Sequence, residues 1–157
     1  MYTSSKKAFT MIELVFVIVV IGILSAIAVP KFAATRDDAV ITKARTTVAS
    51  IRSALSTERQ KRILRGDFAS LGSLGGETGA SKTLFDNYNG DENASTVLEY
   101  PILSCSDTSA RGCWTKGSDT TYIYRMPHNS TNITFTLDTA KFKFDCPSGT
   151  DCNLLTQ

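Results

Sequence analysis

The chain has 157 residues, a formal net charge of +2 at pH 7 and four cysteines. This length allows one modest folded domain beside a membrane segment. Because the charge is close to balance, overall composition gives no support for nucleic-acid binding. An even number of cysteines outside the apolar segment is typical of disulfides formed in an oxidising compartment.

An apolar run, FTMIELVFVIVVIGILSAIAV, occupies residues 9–29. It is long enough to cross a bilayer core, which requires about 20 apolar residues. One carboxylate, Glu13, interrupts the run near its start. A charge in hydrocarbon costs about 2.5 kcal/mol or more, so Glu13 needs a partner or a proton. Cleavage between Ala8 and Phe9 would create an α-amino group that could neutralise the Glu13 carboxylate of a neighbouring copy.

This arrangement resembles the N terminus of type IV pilins and of the pseudopilins of type II secretion and competence systems. The matching residues are Lys6, Lys7, Phe9, Thr10, Met11, Ile12, Glu13, Leu14, Gly22 and Pro30. The resemblance implies a basic leader over residues 1–8, cleavage between Ala8 and Phe9 by a prepilin peptidase, N-methylation of Phe9, and an assembly role for Glu13. The family usually has glycine before the cut; because alanine is also small, we expect cleavage to be retained.

Two other classes of N-terminal segment are alternatives to a pilin-like one. A secretory signal peptide has a shorter apolar core, and its small-residue cleavage site follows that core, whereas Ala8 precedes the apolar run. An ordinary single-pass anchor is the stronger alternative, but it gives Glu13 no role.

The helical pattern continues beyond the apolar run. Proline within a helix removes one backbone hydrogen bond, and in the pilin family a proline such as Pro30 bends a long helix without ending it. An apolar stripe at helical spacing follows, formed by Val40, Ala44, Val48, Ile51 and Leu55. We predict a transmembrane or filament-core helix over residues 9–30 and an amphipathic half over residues 31–65, ending before Gly66.

A β-rich globular region is predicted over residues 66–157. It begins with a glycine-rich loop that lays a few leucines on the core. Alternating or β-prone segments, typical of half-buried antiparallel strands, follow at residues 122–124, 133–137 and 141–145. Phe142 and Phe144 are expected on one face of the last strand, after a hairpin connection at residues 138–140. The predicted fold class is α+β, a long N-terminal helix packed on a small antiparallel sheet, as in type IV pilins.

The four cysteines, Cys105, Cys113, Cys146 and Cys152, allow three disulfide pairings. We favour Cys105–Cys113 and Cys146–Cys152, because each pair closes a short local loop. Structural zinc is a weaker alternative, since neither spacing is the C-x₂₋₄-C that is usual in such sites.

The sequence offers no catalytic constellation and no expected cofactor. The single histidine, His128, lies in a Ser/Thr/Asn-rich turn beside Pro127, and paired cysteines leave no Cys–His nucleophile. The oxygen-rich segment at residues 86–92 could hold calcium. It does not fit the EF-hand spacing, so a solvated turn is favoured over a metal site.

Arg45, Arg52 and Arg59 recur every seven residues and could form one basic stripe on the helix. Such a stripe could contact DNA phosphates, acidic lipid headgroups or neighbouring subunits. In a filament, subunit contact is the commonest of these uses.

One of three Asn-x-Ser/Thr matches has an acidic residue two positions before the asparagine. It is Asn93, in the sequence Asp91-Glu92-Asn93-Ala94-Ser95. This longer pattern resembles the acceptor used by bacterial oligosaccharyltransferases, so Asn93 is a candidate glycosylation site in a host that has that enzyme.

Together these patterns predict a non-enzymatic pilin-like subunit, either a pseudopilin or a minor pilin. It would span the inner membrane once, with its C-terminal domain in the periplasm. Its partners would be membrane lipid, the prepilin peptidase, an inner-membrane assembly platform and other pilin or pseudopilin subunits. The filament would lie in the periplasm or at the cell surface and serve type II protein secretion or DNA uptake in natural transformation. The alternative is a membrane-anchored periplasmic binding domain that never polymerises and does not require Glu13.

Overall fold

The computed structural model describes residues 9–129, 131–147 and 151–156. It has two compact units, which meet in sequence between Arg36 and Asp37. Over these residues, a helix, α1 (Met11–Arg65), is followed by six strands, a 3₁₀ helix (Tyr88–Gly90) and a short α-helix. The strands and the short α-helix are β1 (Thr83–Leu84), β2 (Ile102–Leu103), β3 (Cys113–Ser118), β4 (Thr121–Arg125), β5 (Asn132–Asp138), β6 (Lys143–Asp145) and α2 (Cys152–Thr156). The predicted α+β class is confirmed.

Helix α1 ends where the sequence predicts. Gly66 has a φ of +73°, a left-handed conformation that glycine adopts without steric cost. The amide of Gly66 donates to the Ile63 carbonyl (3.0 Å), and the amide of Asp67 donates to the Arg62 carbonyl (2.9 Å). This is a Schellman motif, which satisfies carbonyls that the end of a helix would otherwise leave free. Pro30 lies inside α1 without ending it.

The main sheet is antiparallel, with strand order β3-β4-β5-β6. Ile133, Phe135 and Leu137 point from β5 into the core, as the alternation of that segment predicts. They share one core cluster with the α1 stripe, of which Ala44, Val48, Ile51 and Leu55 are buried. The sheet therefore covers the apolar face of the second half of α1.

Strand β3 was not predicted from the sequence. Its segment, Cys-Trp-Thr-Lys-Gly-Ser, has Trp114 as its one buried side chain, so it carries no alternation. The strand forms because it pairs with β4, through partners such as Trp114 with Tyr124 and Thr115 with Ile123. Strands β1 and β2 are only two residues each and form a separate two-stranded sheet, too short to leave a periodic signal.

The expected place of Phe142 is wrong. Strand β6 begins at Lys143, and Phe142 lies in the preceding turn with a φ of +55°. The turn is longer than predicted because the Asp138 carboxylate accepts hydrogen bonds from the amides of Ala140 (3.2 Å) and Lys141 (2.9 Å). The Phe142 ring instead lies below the Arg62 guanidinium, with 5.5 Å between the guanidinium carbon and the ring centroid, a cation–π distance.

Five aromatic side chains form the centre of the globular unit. Phe85, Trp114, Tyr122, Phe135 and Phe144 are all buried, and their rings contact one another, with Phe135 and Phe144 stacked at 5.0 Å. Burial raises the pKa of Tyr122. Its hydroxyl donates to the Gly75 carbonyl (2.9 Å) and accepts the Leu74 amide (3.1 Å), which ties the loop after α1 to the core.

The loop after α1 behaves as predicted, laying Leu71, Leu74 and Leu84 in the core. Its path is held by the Asp86 carboxylate, which accepts the amides of Gly76 (2.6 Å) and Asn87 (2.8 Å). A Cβ at Gly75 would lie 2.0 Å from that carboxylate, so this position requires glycine.

Both disulfides that we favoured are present. Cys105 and Cys113 join the segment after β2 to the start of β3, and their Cα atoms are 5.3 Å apart. Cys146 and Cys152 join the segment after β6 to α2, with a Cα separation of 5.9 Å. The free thiols required for zinc are therefore absent from these four positions.

Replacing Cys105 and Cys113 together by serine is expected to lower the free energy of unfolding by about 2–3 kcal/mol, because the crosslink restricts the unfolded chain. Chemical denaturation of the detergent-solubilised subunit would measure this loss. Peptide mapping without reduction of the unsubstituted protein should recover both linked pairs. Free thiols in protein from the native host would contradict the assignment.

Candidate assembly site

The start of α1 is a capping box formed by Thr10 and Glu13. The amide and hydroxyl of Thr10 each donate to Glu13 Oε2 (2.8 Å each), and the Glu13 amide donates back to the Thr10 hydroxyl (3.3 Å). The T-x-x-E spacing is a sequence signature of this motif. Sequence reasoning assigned Glu13 an assembly role and missed this local one, although the spacing was there to be seen.

The capping box uses one oxygen of the carboxylate. Within the described residues, Oε1 of Glu13 has no hydrogen bond, whereas Oε2 has two. Glu13 is exposed, as is Phe9, whose residue surface is 86% accessible. The carboxylate is therefore partly satisfied within its own chain and can still accept a further donor from outside.

Within the described residues of its own unit, the apolar half of α1 is exposed. Large apolar side chains are exposed along it, namely Met11, Ile12, Leu14, Val15, Phe16, Val17, Ile18, Val19, Val20, Ile21, Ile23, Leu24, Ile27, Val29 and Phe32. In the described part of the chain, α1 is the one helix long and apolar enough to cross a membrane, with a mean hydropathy of 2.9 in its most apolar window. Such a surface requires lipid or other apolar helices around it.

The predicted processing and modification positions differ in what the structure describes. Ala8 and the leader lie outside the described residues, while Phe9 is the first residue within them. Asn93 is exposed in a turn. Its backbone amide donates to the Asp91 carboxylate (2.9 Å), and the backbone amide of Ala94 donates to the Asp91 carbonyl (3.0 Å). The turn presents Asn93 to solvent.

The arginine stripe has an intrachain role that the sequence did not reveal. Arg45 donates twice to the Leu154 carbonyl (2.8 and 3.0 Å). Arg52 donates to the Phe144 carbonyl (2.9 Å) and forms an ion pair with Asp145 (2.9 Å). Arg59 donates to the Lys141 carbonyl (3.3 Å). The seven-residue repeat thus fastens α1 to α2, β6 and the turn before β6, and the DNA hypothesis gains no support from it.

The oxygen-rich segment at residues 86–92 serves the loop itself. The carboxylate of Asp86 accepts backbone amides, and that of Asp91 accepts the Asn93 amide. Over the described ranges, no group of three or more His, Cys, Asp and Glu side chains is placed to hold a metal ion. His128 is exposed in the bend between β4 and β5.

Comparison with known proteins identifies the family of this N-terminal segment. The family model for the prokaryotic N-terminal methylation motif matches residues 3–29. The type IV narrow pilus major component PilA5 of Thermus thermophilus is 40% identical over 93 residues, which cover 58% of this chain and 76% of that protein. No solved structure gives a significant match. From the methylation motif and an identity that spans most of a pilin, we conclude that the chain belongs to the type IV pilin-like family.

Proposed function

We propose that this pilin-like subunit is processed at Phe9 and assembled into a periplasm-spanning filament for type II protein secretion or DNA uptake, as a pseudopilin or minor pilin. The observation that carries the proposal is Glu13, which lies on an exposed apolar helix four residues after the proposed new terminus and bonds through only one carboxylate oxygen among the described residues. The role is structural rather than enzymatic.

Membrane insertion precedes assembly in this scheme. Lys6 and Lys7 keep the leader on the cytoplasmic side, since basic residues favour that side. The globular unit then lies in the periplasm, where its two disulfides form. While the subunit waits in the bilayer, the capping box lets Thr10 compensate part of the Glu13 charge near the membrane surface.

Assembly then uses the new amine. Hydrolysis of the Ala8–Phe9 bond leaves a free amine on Phe9, which a methyltransferase then methylates with a methyl group from a separate donor, and the methylated amine remains positively charged. In a filament core, that amine would meet Oε1 of Glu13 on a neighbouring subunit. Opposite charges attract strongly where water is excluded, and an unpaired buried charge is costly. The pair therefore favours one axial register between subunits.

A surface pilus is a second candidate function. It is favoured by the 40% identity to a protein named as the major component of a narrow pilus. Both candidates use the same processing and the same N-terminal contact, and they differ in where the filament ends. Immunogold labelling of intact cells would separate them, because only a surface pilus exposes the globular unit outside the cell.

Processing provides the test of the proposal. In the native host, the intact mass of the assembled subunit should correspond to a chain that starts at Phe9 and carries one methyl group. Ala8→Leu is expected to block cleavage, because a bulky side chain replaces the small one before the cut. Ser5→Leu, three residues further from the cut, is the matched control and should be processed normally.

The non-polymerising alternative predicts the opposite pattern. An uncleaved chain that retains residues 1–8 in the membrane, with no filament in the same cells, would favour an anchored binding domain. Normal activity of the Ala8→Leu variant in secretion or DNA uptake would likewise overturn the proposed function.

A further inference from the structure

A cavity of about 630 Å³ lies between the second half of α1 and residues 96–102. It is separate from the N-terminal assembly site. Five hydroxyl side chains line its α1 wall, namely Thr46, Thr47, Ser50, Ser53 and Thr57. The last three follow one another at spacings of three and four residues, so they share one helix face. This wall is therefore polar, unlike the neighbouring apolar stripe that α1 buries in the core.

The hydroxyls on the α1 wall retain hydrogen-bonding capacity. Thr46, Thr47 and Thr57 each donate to the backbone carbonyl one helical turn earlier, at 3.0 Å, and each of their oxygens can still accept. Ser50 and Ser53 form no hydrogen bond with any of the described residues. Both serines can therefore donate to a ligand and accept from it.

The charged side chains at the cavity do not favour either sign strongly. Lys43 and Lys61 line it together with Glu58 and Glu99. Glu58 is buried and already paired with Arg62 at 3.0 Å, which leaves two cations and one carboxylate open to solvent. Nucleic acid and anionic lipid are bound by clusters of basic residues. The lining instead suits a ligand without net charge.

Aromatic and apolar side chains complete the lining. Tyr100 is 82% exposed at the cavity, and Val97 and Ile102 contribute to the wall formed by residues 96–102. Apolar and aromatic surface with a few placed polar groups is typical of ligand sites. A sugar carries hydroxyl groups at its edges and C–H groups on its faces. It can therefore bond the serines with an edge and pack a face on the Tyr100 ring.

We propose that this cavity binds a neutral oligosaccharide, which forms hydrogen bonds with Ser50 and Ser53 and packs a sugar face against Tyr100. The proposal concerns a single subunit and does not require copies to assemble. The saccharide has two conceivable sources, a free oligosaccharide and a glycan attached to Asn93 of the same chain.

Asn93 is close enough to the cavity to supply the saccharide. It is exposed and precedes Thr96, the first residue of the second wall, by a span of at most about 11 Å. Attachment forms a bond between Asn93 Nδ2 and the anomeric carbon of a lipid-phosphate-linked sugar donor. The phosphate leaves with the bonding electrons, and the amide nitrogen releases one proton. A tethered ligand has an effective concentration on the order of 1 mM, so weak binding suffices to hold the glycan in the cavity.

Titration of the unglycosylated chain tests the site. The full chain, made in a host without an oligosaccharyltransferase and solubilised in a detergent without a sugar headgroup, would be titrated with chitotriose, the N-acetylglucosamine trimer. Saturation-transfer NMR should show saturable binding with a dissociation constant on the order of 1 mM. Absence of saturable binding in this range would overturn the proposal. Tighter binding of a triglutamate peptide or a short DNA oligonucleotide at the same site would also overturn it.

Substitutions locate the binding in this cavity. Ser50→Trp fills the cavity and is expected to abolish binding, and Tyr100→Ala should lower the affinity about tenfold because the sugar face loses its ring. The matched controls are Ser56→Trp, at an exposed position of α1 outside the lining, and Phe68→Ala, at an exposed aromatic residue. Both controls should bind chitotriose as the unsubstituted chain does. Unchanged binding by Ser50→Trp, or equal losses in Ser50→Trp and Ser56→Trp, would contradict the proposed site.

Protein from the native host distinguishes the two sources of the saccharide. Its intact mass, compared with that of Asn93→Gln, reports a covalent glycan. A glycan that is lost in Asn93→Gln, and that prevents added chitotriose from binding, assigns the occupant to Asn93. Native protein that binds chitotriose as strongly as the unglycosylated chain assigns the occupant to a free saccharide. Either result supports the saccharide site.

Discussion

Glu13→Val is expected to leave the subunit inserted and processed but largely excluded from filaments. Valine makes the helix more apolar, so membrane insertion should persist, and the leader is unchanged. The methylated amine of the neighbouring Phe9 would then be buried without a partner, at a cost of several kcal/mol. A cost of about 3 kcal/mol corresponds to a loss of more than 100-fold in the assembly equilibrium.

Two further variants separate the charge of Glu13 from its place in the capping box. Glutamine at N3 retains a capping box, so Glu13→Gln removes the charge while the start of the helix keeps its cap. Thr10→Val removes the cap and keeps the charge. If charge pairing drives assembly, Glu13→Gln should be nearly as defective as Glu13→Val, and Thr10→Val should be milder.

The measurement combines three readouts from one culture. Membrane fractionation reports insertion, intact mass reports processing, and crosslinking between α1 helices reports assembly. If Thr10→Val is the most defective variant, the capping box rather than the intersubunit pair is the function of Glu13. Full assembly of Glu13→Val would remove the role assigned to this residue.

Phe135→Ala is expected to destabilise the globular unit by about 3–5 kcal/mol, because it removes a fully buried ring from the centre of the aromatic cluster. The Phe135 ring stacks on that of Phe144, with 5.0 Å between ring centroids, and its centroid is 5.4 Å from that of Trp114. The cavity left by the substitution would therefore be lined by rigid rings. Domains of this size are stable by about 5–15 kcal/mol, and the loss is a large share of that.

Thermal unfolding of the detergent-solubilised full chain, followed by near-UV circular dichroism, would measure this effect as a decrease of roughly 10–15 °C in Tm. Phe68→Ala removes the same atoms from an exposed position and serves as the control, with little change expected in the unassembled subunit. Equal shifts for the two variants would contradict the described core.

The sequence predicted the parts of the fold that have strong periodicity. Four of the five stripe residues on α1 are buried, and Val40 is partly buried. The helix ends at Arg65, because Gly66 adopts a left-handed conformation that glycine takes more readily than other residues. The alternation in β5 likewise identified its inward-facing residues. These features depend on neighbours in sequence, which a local pattern can report.

The elements that the sequence missed depend on strand pairing and side-chain hydrogen bonds that a hydrophobic pattern does not record. Strand β3 exists because β4 pairs with it, and its own residues carry one buried side chain. Phe142 was misplaced because the side chain of Asp138 lengthens the turn. Strand pairing decides the first case, and local hydrogen bonds to one carboxylate decide the second.

For the candidate site too, some features follow from the sequence and others only from the tertiary structure. The sequence by itself determined the apolar helix, the position of Glu13 and the family motif, because charge and spacing suffice to define them. Only the tertiary structure decided the use of the arginine stripe. Arg45, Arg52 and Arg59 looked like a free basic face, yet their guanidiniums donate to carbonyls 82 to 109 residues away in sequence. Every residue has a backbone carbonyl, so the pattern of side chains in the sequence does not indicate which carbonyls accept these hydrogen bonds.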